Sequence, residues 1–244
     1  MVLQDWFERG HVAIVTGGSK GFGRAVARLL AERGLHVIVD GRDENALDAA
    51  QRELAKVGDV IAVAGDVTDA SHVHRLVQIA EERFGRLDLV VNNASSIGRS
   101  PMPALEHLSP TVFERVFATN VYAPLHLIQH ALPLLRRSGG TIVNVSSDAG
   151  VVAYAGWGGY GSAKAALEHL SRILAAELEE TGVRVIVADP GNMNTQLHRE
   201  AEPGVDLSDL AEPEAVAPAL LAAIAEAREP YTRVELQALL PAIA

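Results

Sequence analysis

A chain of 244 residues with 48% hydrophobic content is long enough for one α/β domain around a well-buried sheet. Its 21 basic residues against 31 acidic ones give a formal charge of -10 with no basic stripe for a phosphate backbone, which argues against nucleic acid as a partner. No cysteine is present, so disulfides, thiol nucleophiles and cysteine metal sites are excluded.

No apolar run approaches transmembrane length, and Met1–Arg9 lacks the long apolar core of a signal peptide. A single domain over 1–244, cytoplasmic and without a membrane partner, is expected.

In chain order, the first strand is His11–Thr16, stopping at Gly17-Gly18-Ser19-Lys20-Gly21-Phe22-Gly23 before a helix over Arg24–Arg33. Strand, glycine turn and helix form the context of a phosphate-cradling loop, because glycines let the backbone approach a pyrophosphate and the helix start favours its charge. Strand and helix then alternate. Strands His36–Asp40, Val60–Ala64 and Leu87–Val91 are separated by helices Glu44–Lys56 and Asp69–Phe84. Their near-continuous apolar runs suit strands covered on both faces and so a parallel sheet between helices. A long helix over Thr111–Arg137, kinked or ended at Pro124 and Pro133, precedes the strand Thr141–Ser146. The remaining elements are a helix from Tyr160 to Glu180, a strand Val183–Ala188, an irregular stretch to Ala215, a helix to Arg228 and a last strand Arg233–Gln237.

Tyr160 and Lys164, four apart on a helix, present a phenol and an ammonium one turn apart on one face. An ammonium at close range stabilises the phenolate and brings the phenol nearer to useful acid–base chemistry. Ser147, at the end of a buried strand, offers a hydroxyl to the same substrate oxygen. The trio suits interconversion of a carbonyl and an alcohol, although a Tyr-x-x-x-Lys spacing by itself is common by chance.

With the glycine loop, Asn92-Asn93-Ala94, Asn120, Ser147, Tyr160, Lys164 and Pro190-Gly191 in order, the sequence resembles the short-chain dehydrogenase/reductase family over nearly its whole length. The resemblance implies a Rossmann-like, doubly wound parallel sheet of about seven strands flanked by helices on both faces. It also implies an NAD(P)-dependent oxidoreductase acting on a small carbonyl or secondary alcohol. By the same resemblance, Tyr160 is the general acid in reduction and the base in oxidation. Lys164 holds the nicotinamide ribose and lowers the Tyr160 pKa, Ser147 polarises the carbonyl, and Asn120, at a distortion in the long helix, helps hold a relay water. Gly17, Ser19, Lys20, Gly21, Phe22 and Gly23 would cradle the cofactor, with Asn92 and Ala94 lining its cleft and Asp66 and Val67 at the adenine. Pro190, Gly191, Met193 and Thr195 would meet the nicotinamide end.

An acidic residue after the second strand accepts from a ribose 2′-OH, whereas a basic one receives a 2′-phosphate. Members that prefer NAD usually carry Asp where this chain has Gly41, and Arg42 and Lys20 stand where NADP-preferring members place bases. NADP(H) is therefore favoured and NAD(H) kept open, with Asp40 dissenting from one position too early and expected to point the other way. Ser95 replaces the glycine that usually follows Asn-Asn-Ala. The family's glycine-rich tail, often part of a tetramer interface, is missing, so both a homodimer through the long-helix faces and a homotetramer are considered.

The substrate pocket is expected from residues 95–103, 148–159 and a loop around 191–212, with Val151, Val152, Tyr154, Trp157, Met193 and Leu197 supplying apolar surface and Asp148 or His198 polar groups. Two other readings are weighed: a catalytically silent dinucleotide-binding protein, redox-sensing or structural, on the same fold, and a methyltransferase, whose chemistry has no use for the Tyr–Lys pair. No metal site is expected, since the histidines are scattered and His72 and His74 point to different helix faces.

Overall fold

The computed structural model describes residues 7–242; Met1–Trp6, the start of the segment read for a leader, and Ile243–Ala244 of the tail lie outside the described residues. The strands are β1 Val12–Val15, β2 His36–Gly41, β3 Val60–Ala64, β4 Leu89–Asn92, β5 Thr141–Val145, β6 Arg184–Asp189 and β7 Tyr231–Glu235. All are parallel in the order β3-β2-β1-β4-β5-β6-β7. The helices are α1 Gly21–Glu32, α2 Glu44–Leu54, α3 Ala70–Phe84, α4 Pro110–Phe117, α5 Ala123–Ser138, α6 Gly158–Glu177, α7 Gln196–Ala201 and α8 Pro213–Glu226. The doubly wound α/β architecture expected from the sequence is the observed one.

Successive strand side chains point to opposite faces, so every central strand feeds two cores. Ala13, Val15, Val37 and Val39 pack with Leu30 of α1 and Leu220 and Ile224 of α8. Val12, Ile14 and Ile38 pack with Leu76 of α3, Ile128 and Leu135 of α5, and Leu174 of α6. Burial of both faces explains why the strands read as apolar runs without strict alternation.

Three regions differ from the sequence reading. Neither proline ends the long helix. Its interruption is a π segment, Ala118–Tyr122, between α4 and α5; Pro124 falls in the first turn of α5, where its missing N–H is tolerated, and Pro133 stays inside that helix. The stretch read as irregular contains α7, capped by the Thr195 hydroxyl, which accepts from His198 N, and is tied back by a Met193–Ala211 bridge. The last strand begins earlier, at Tyr231, and a 3-10 turn over Leu236–Ala242 follows it. Strand order reverses at β1 and β4, and a crevice opens outside the carboxyl ends of these strands, as expected for an open α/β sheet.

Candidate active site

The crevice is a cavity of about 920 Å³. One end of it is built by the β1–α1 turn. Gly17, at φ +67, turns the chain into the left-handed region, and α1 follows with no side chain capping its first N–H groups and no acidic residue in its first turn. Free N–H donors at a helix start facing a cavity suit a pyrophosphate, so the residues present fit a dinucleotide. Gly23 turns away from the cavity, and a Cβ there would lie 2.4 Å from the Asn93 side chain.

Gly17, Ser19, Lys20, Gly21, Phe22, Arg42, Asp66, Val67, Ala94, Pro190, Gly191, Met193 and Thr195 all line this cavity, together with Ser147, Tyr160 and Lys164. Besides Gly23, two expected residues do not. Asn92 turns into the sheet and donates to Asn144 Oδ1 at 2.8 Å; its neighbour Asn93 lines the cavity instead, anchored by its amide on Thr16 O at 2.8 Å. Asn120 is buried behind the cavity wall in the π segment, its Nδ2 donating to Val116 O and Ser96 O, each at 2.8 Å.

Asp40, expected to point the other way, borders the cavity, but both of its carboxylate oxygens already hold protein partners. Oδ1 accepts from Gly17 N at 2.7 Å and Oδ2 meets His72 Nε2 at 3.0 Å, both residues buried. Arg42 Nη1 lies 3.9 Å from Asp66 Oδ2 with both side chains exposed, and Lys20 Nζ donates to Gln196 Oε1 at 2.7 Å, joining the glycine loop to α7 across the cavity.

At the other end, α6 presents Tyr160 and Lys164 and the turn after β5 presents Ser147. Burial pushes the Tyr160 phenol up to about 12, opposed by the hydroxyls of Ser95 and Ser147. Lys164, 2% exposed, is pulled down by burial to about 8; Asp189 and Glu168 oppose this. Its Nζ sits 5.4 Å from the Tyr160 ring centroid and donates to Val145 O at 2.8 Å. The groups countering burial at the phenol in this structure are thus the two hydroxyls rather than the ammonium. Ser95, the departure from the family's glycine, stands beside the phenol and donates to Asn120 Oδ1 at 2.7 Å. Ser147 Oγ donates to Asp148 Oδ1 at 3.0 Å, and Tyr154 donates to the other oxygen of that carboxylate at 2.7 Å.

Beyond Tyr160, a small apolar cluster of Ile97, Met102, Trp157, Leu197 and Ala201 forms a wall, with the Trp157 ring edge-on to Tyr160 at 5.9 Å. Val151 and Val152 do not line the cavity and are exposed. His198 is occupied by Glu202 at 3.0 Å. Sequence reading missed Asn93, Ser95's contacts and Asp189. The first two sit beside flagged residues, whereas an Asp before Pro-Gly reads as an ordinary turn residue. Among the described residues no group of three or more His, Cys, Asp or Glu could hold a metal ion, and no helix is long and apolar enough to cross a membrane.

The family model for short chain dehydrogenases matches residues 11–206. The rhamnolipids biosynthesis 3-oxoacyl-[acyl-carrier-protein] reductase of Pseudomonas aeruginosa is 38% identical over 78% of this chain and 75% of its own length. The L-fucose dehydrogenase of Rattus norvegicus is 36% identical over 78% of this chain and 69% of its own. A short-chain dehydrogenase structure from Shigella flexneri 2a, complexed with NADP, superposes with a TM-score of 0.86 at 28% identity, over 95% of this chain and 99% of that one. The chain therefore belongs to the short-chain dehydrogenase/reductase family of oxidoreductases.

Proposed function

We propose that this protein is an NADPH-dependent reductase of a ketone or aldehyde, run in reverse as a secondary-alcohol dehydrogenase. The observation that carries the reading is one cavity lined at one end by the glycine loop and at the other by Ser147, Tyr160 and Lys164. Bound NADP(H) supplies or accepts the hydride at nicotinamide C4.

In reduction, Tyr160 gives its proton to the carbonyl oxygen as negative charge develops there, and Ser147 turns its hydroxyl from Asp148 to donate a second hydrogen bond to that oxygen. A phenol pushed up to about 12 by burial holds its proton at neutral pH, which suits the acid required in this direction. Lys164 holds the ribose and places a positive charge beside the ring. Asn120 acts from behind the wall, through Ser95 and the Ser96 backbone. The apolar wall of Trp157, Ile97 and Leu197 favours a substrate with a hydrophobic group beside its carbonyl.

The preference for NADP rests on Asp40 and Gly41. Both Asp40 oxygens already hold protein partners, Gly17 N and His72 Nε2, while Arg42 and Lys20 border the same cavity and can bracket a 2′-phosphate. The NADP-bound Shigella neighbour agrees with this reading. Exposed Tyr122 and Ile173, on the long-helix side, favour a homo-oligomer, dimer or tetramer, and a cytoplasmic protein is the reading of the sequence.

The test pairs fluorescence titration with NADPH and NADH with a carbonyl screen of wild type and Tyr160→Phe. The expected result is tighter NADPH binding and carbonyl-dependent NADPH oxidation, with the variant binding NADPH normally and losing turnover by at least about 10²-fold, the scale of a lost acid–base group. Undiminished turnover by Tyr160→Phe would sink the mechanism.

A further inference from the structure

Lys164 is a buried ammonium whose only hydrogen-bond acceptor among the described residues is the Val145 carbonyl. A buried cation without a touching counter-ion pays for desolvation unless charge nearby compensates it. Two carboxylates face Lys164 at longer range: Glu168, one turn further along α6, and Asp189, at the end of β6.

Their surroundings differ. Glu168, 2% exposed, accepts from Ser146 Oγ at 2.7 Å and from Arg233 Nε at 3.1 Å, with Arg172 Nη2 at 3.5 Å, so two guanidiniums already balance it. Asp189, 4% exposed, touches a cation only at 3.7 Å, through Arg233 Nη2, and that arginine is shared with Glu168 and with Glu235 at 3.1 Å. The other Asp189 oxygen accepts from Gly191 N at 2.9 Å, in the Pro190–Gly191 turn that lines the cavity. Asp189 is itself part of the cavity wall. The charged and titratable groups around Lys164 are thus Tyr160 and Glu168 on its own helix and Asp189 on β6, and those around Asp189 are Asp148 after β5 and Arg233 and Glu235 on β7.

We propose that Asp189 is a positioning residue of the reaction, keeping Lys164 charged through its incompletely balanced carboxylate and fixing the Pro190–Gly191 turn through the Gly191 N–H. The inference rests on the role given to Lys164 above. The direction of the electrostatics agrees: burial lowers Lys164 to about 8, and Asp189 is the largest influence opposing it. Burial also raises Asp189, which marks its charge as poorly compensated.

Asp189→Asn separates the two roles, because the amide oxygen still accepts from Gly191 while the charge is gone. The dissociation constant for NADPH is measured by fluorescence from pH 6 to 10 for wild type, Asp189→Asn and Lys164→Met. Wild type should weaken as pH rises through about 8, and Lys164→Met should lack that limb. Asp189→Asn should match wild type at pH 6 and bind roughly fivefold more weakly at pH 8, as for a limb moved down by about one unit. A limb present in wild type, absent in Lys164→Met and unmoved in Asp189→Asn overturns the proposal alone. Its absence from wild type overturns the Lys164 role and the proposal with it. Should Asp189→Asn fail to fold, Arg233→Gln, which strips Asp189 of its partial counter-ion, should move the limb upward, and an unmoved limb there again overturns the proposal.

Discussion

His72 Nε2 meets Asp40 Oδ2 at 3.0 Å, and the opposite oxygen of Asp40 takes the N–H of Gly17, so a histidine on α3 braces the glycine turn of the cavity through a buried carboxylate. Gly65 makes room for this ring: a Cβ there would lie 2.1 Å from His72 Nδ1. Replacing His72 with Leu removes a buried partner of Asp40 and should cost about 1–3 kcal/mol of stability. NADPH binding should weaken several-fold as the Gly17 turn loosens. Thermal unfolding and a cofactor titration check this, and a variant with unchanged Tm would show that the contact holds nothing.

Much of the fold is legible in the sequence because two-sided burial writes itself into short apolar runs, as in Val12–Val15 and Val37–Val39. The cavity's main lining is legible for a related reason: the glycine turn and the Tyr160–Lys164 pair are local spacings. What stays hidden is long-range or depends on a single side-chain direction. Asp40 and His72 stand 32 residues apart, and nothing in either neighbourhood announces the pairing. Asn92 and Asn93 are equivalent as letters, yet the end of β4 turns one into the sheet and leaves the other at the cavity. The π segment at Ala118–Tyr122 has no glycine or proline within it to mark it, and only the family resemblance, which puts Asn120 at a distortion in the long helix, points to it.

Gly41 bears on cofactor choice. A Cβ there would sit 3.0 Å from both Cβ and Oγ of Ser19, close but next to a side chain able to turn. Gly41→Asp would place a carboxylate beside Arg42 at the cavity edge, where it repels a 2′-phosphate and accepts from a 2′-OH. The ratio of NADH to NADPH dissociation constants should shift toward NADH by about tenfold or more, equivalent to about 1.4 kcal/mol. An unchanged ratio would mean that the 2′ position lies elsewhere.

Asn120 tests the wall behind the phenol. Its amide donates to Val116 O and Ser96 O and accepts from Ser95, while lying outside the cavity. Asn120→Ala should lower Tm and reduce kcat, since Ser95 loses its acceptor next to Tyr160, and leave the NADPH dissociation constant within about twofold, a difference below 0.6 kcal/mol. Equal losses in cofactor binding and kcat would point instead to general collapse of the wall.

Lys164 carries a stability prediction whose sign depends on pH. Its folded value, about 8, lies below the ordinary lysine value of 10.5, so the folded protein binds the proton more weakly than the unfolded chain. Between pH 8 and 10.5 the unfolded state therefore holds more protons, and this residue's contribution to stability rises with pH. Below pH 8 the buried charge exacts its full cost, of order 3 kcal/mol for a shift of this size. Tyr160 acts oppositely at higher pH: raised from 10.0 to about 12, it makes stability fall as pH climbs from 10 to 12. Lys164→Met removes the buried ammonium, keeps most of its volume and leaves Val145 O without its donor, a smaller loss of about 1 kcal/mol. The variant should be inactive yet melt higher than wild type at pH 7, with the gap narrowing by pH 9.5. Thermal unfolding of both proteins at these two pH values decides it: a variant that melts lower at pH 7, or a gap that does not change with pH, would mean that Lys164 is not held charged at this cost.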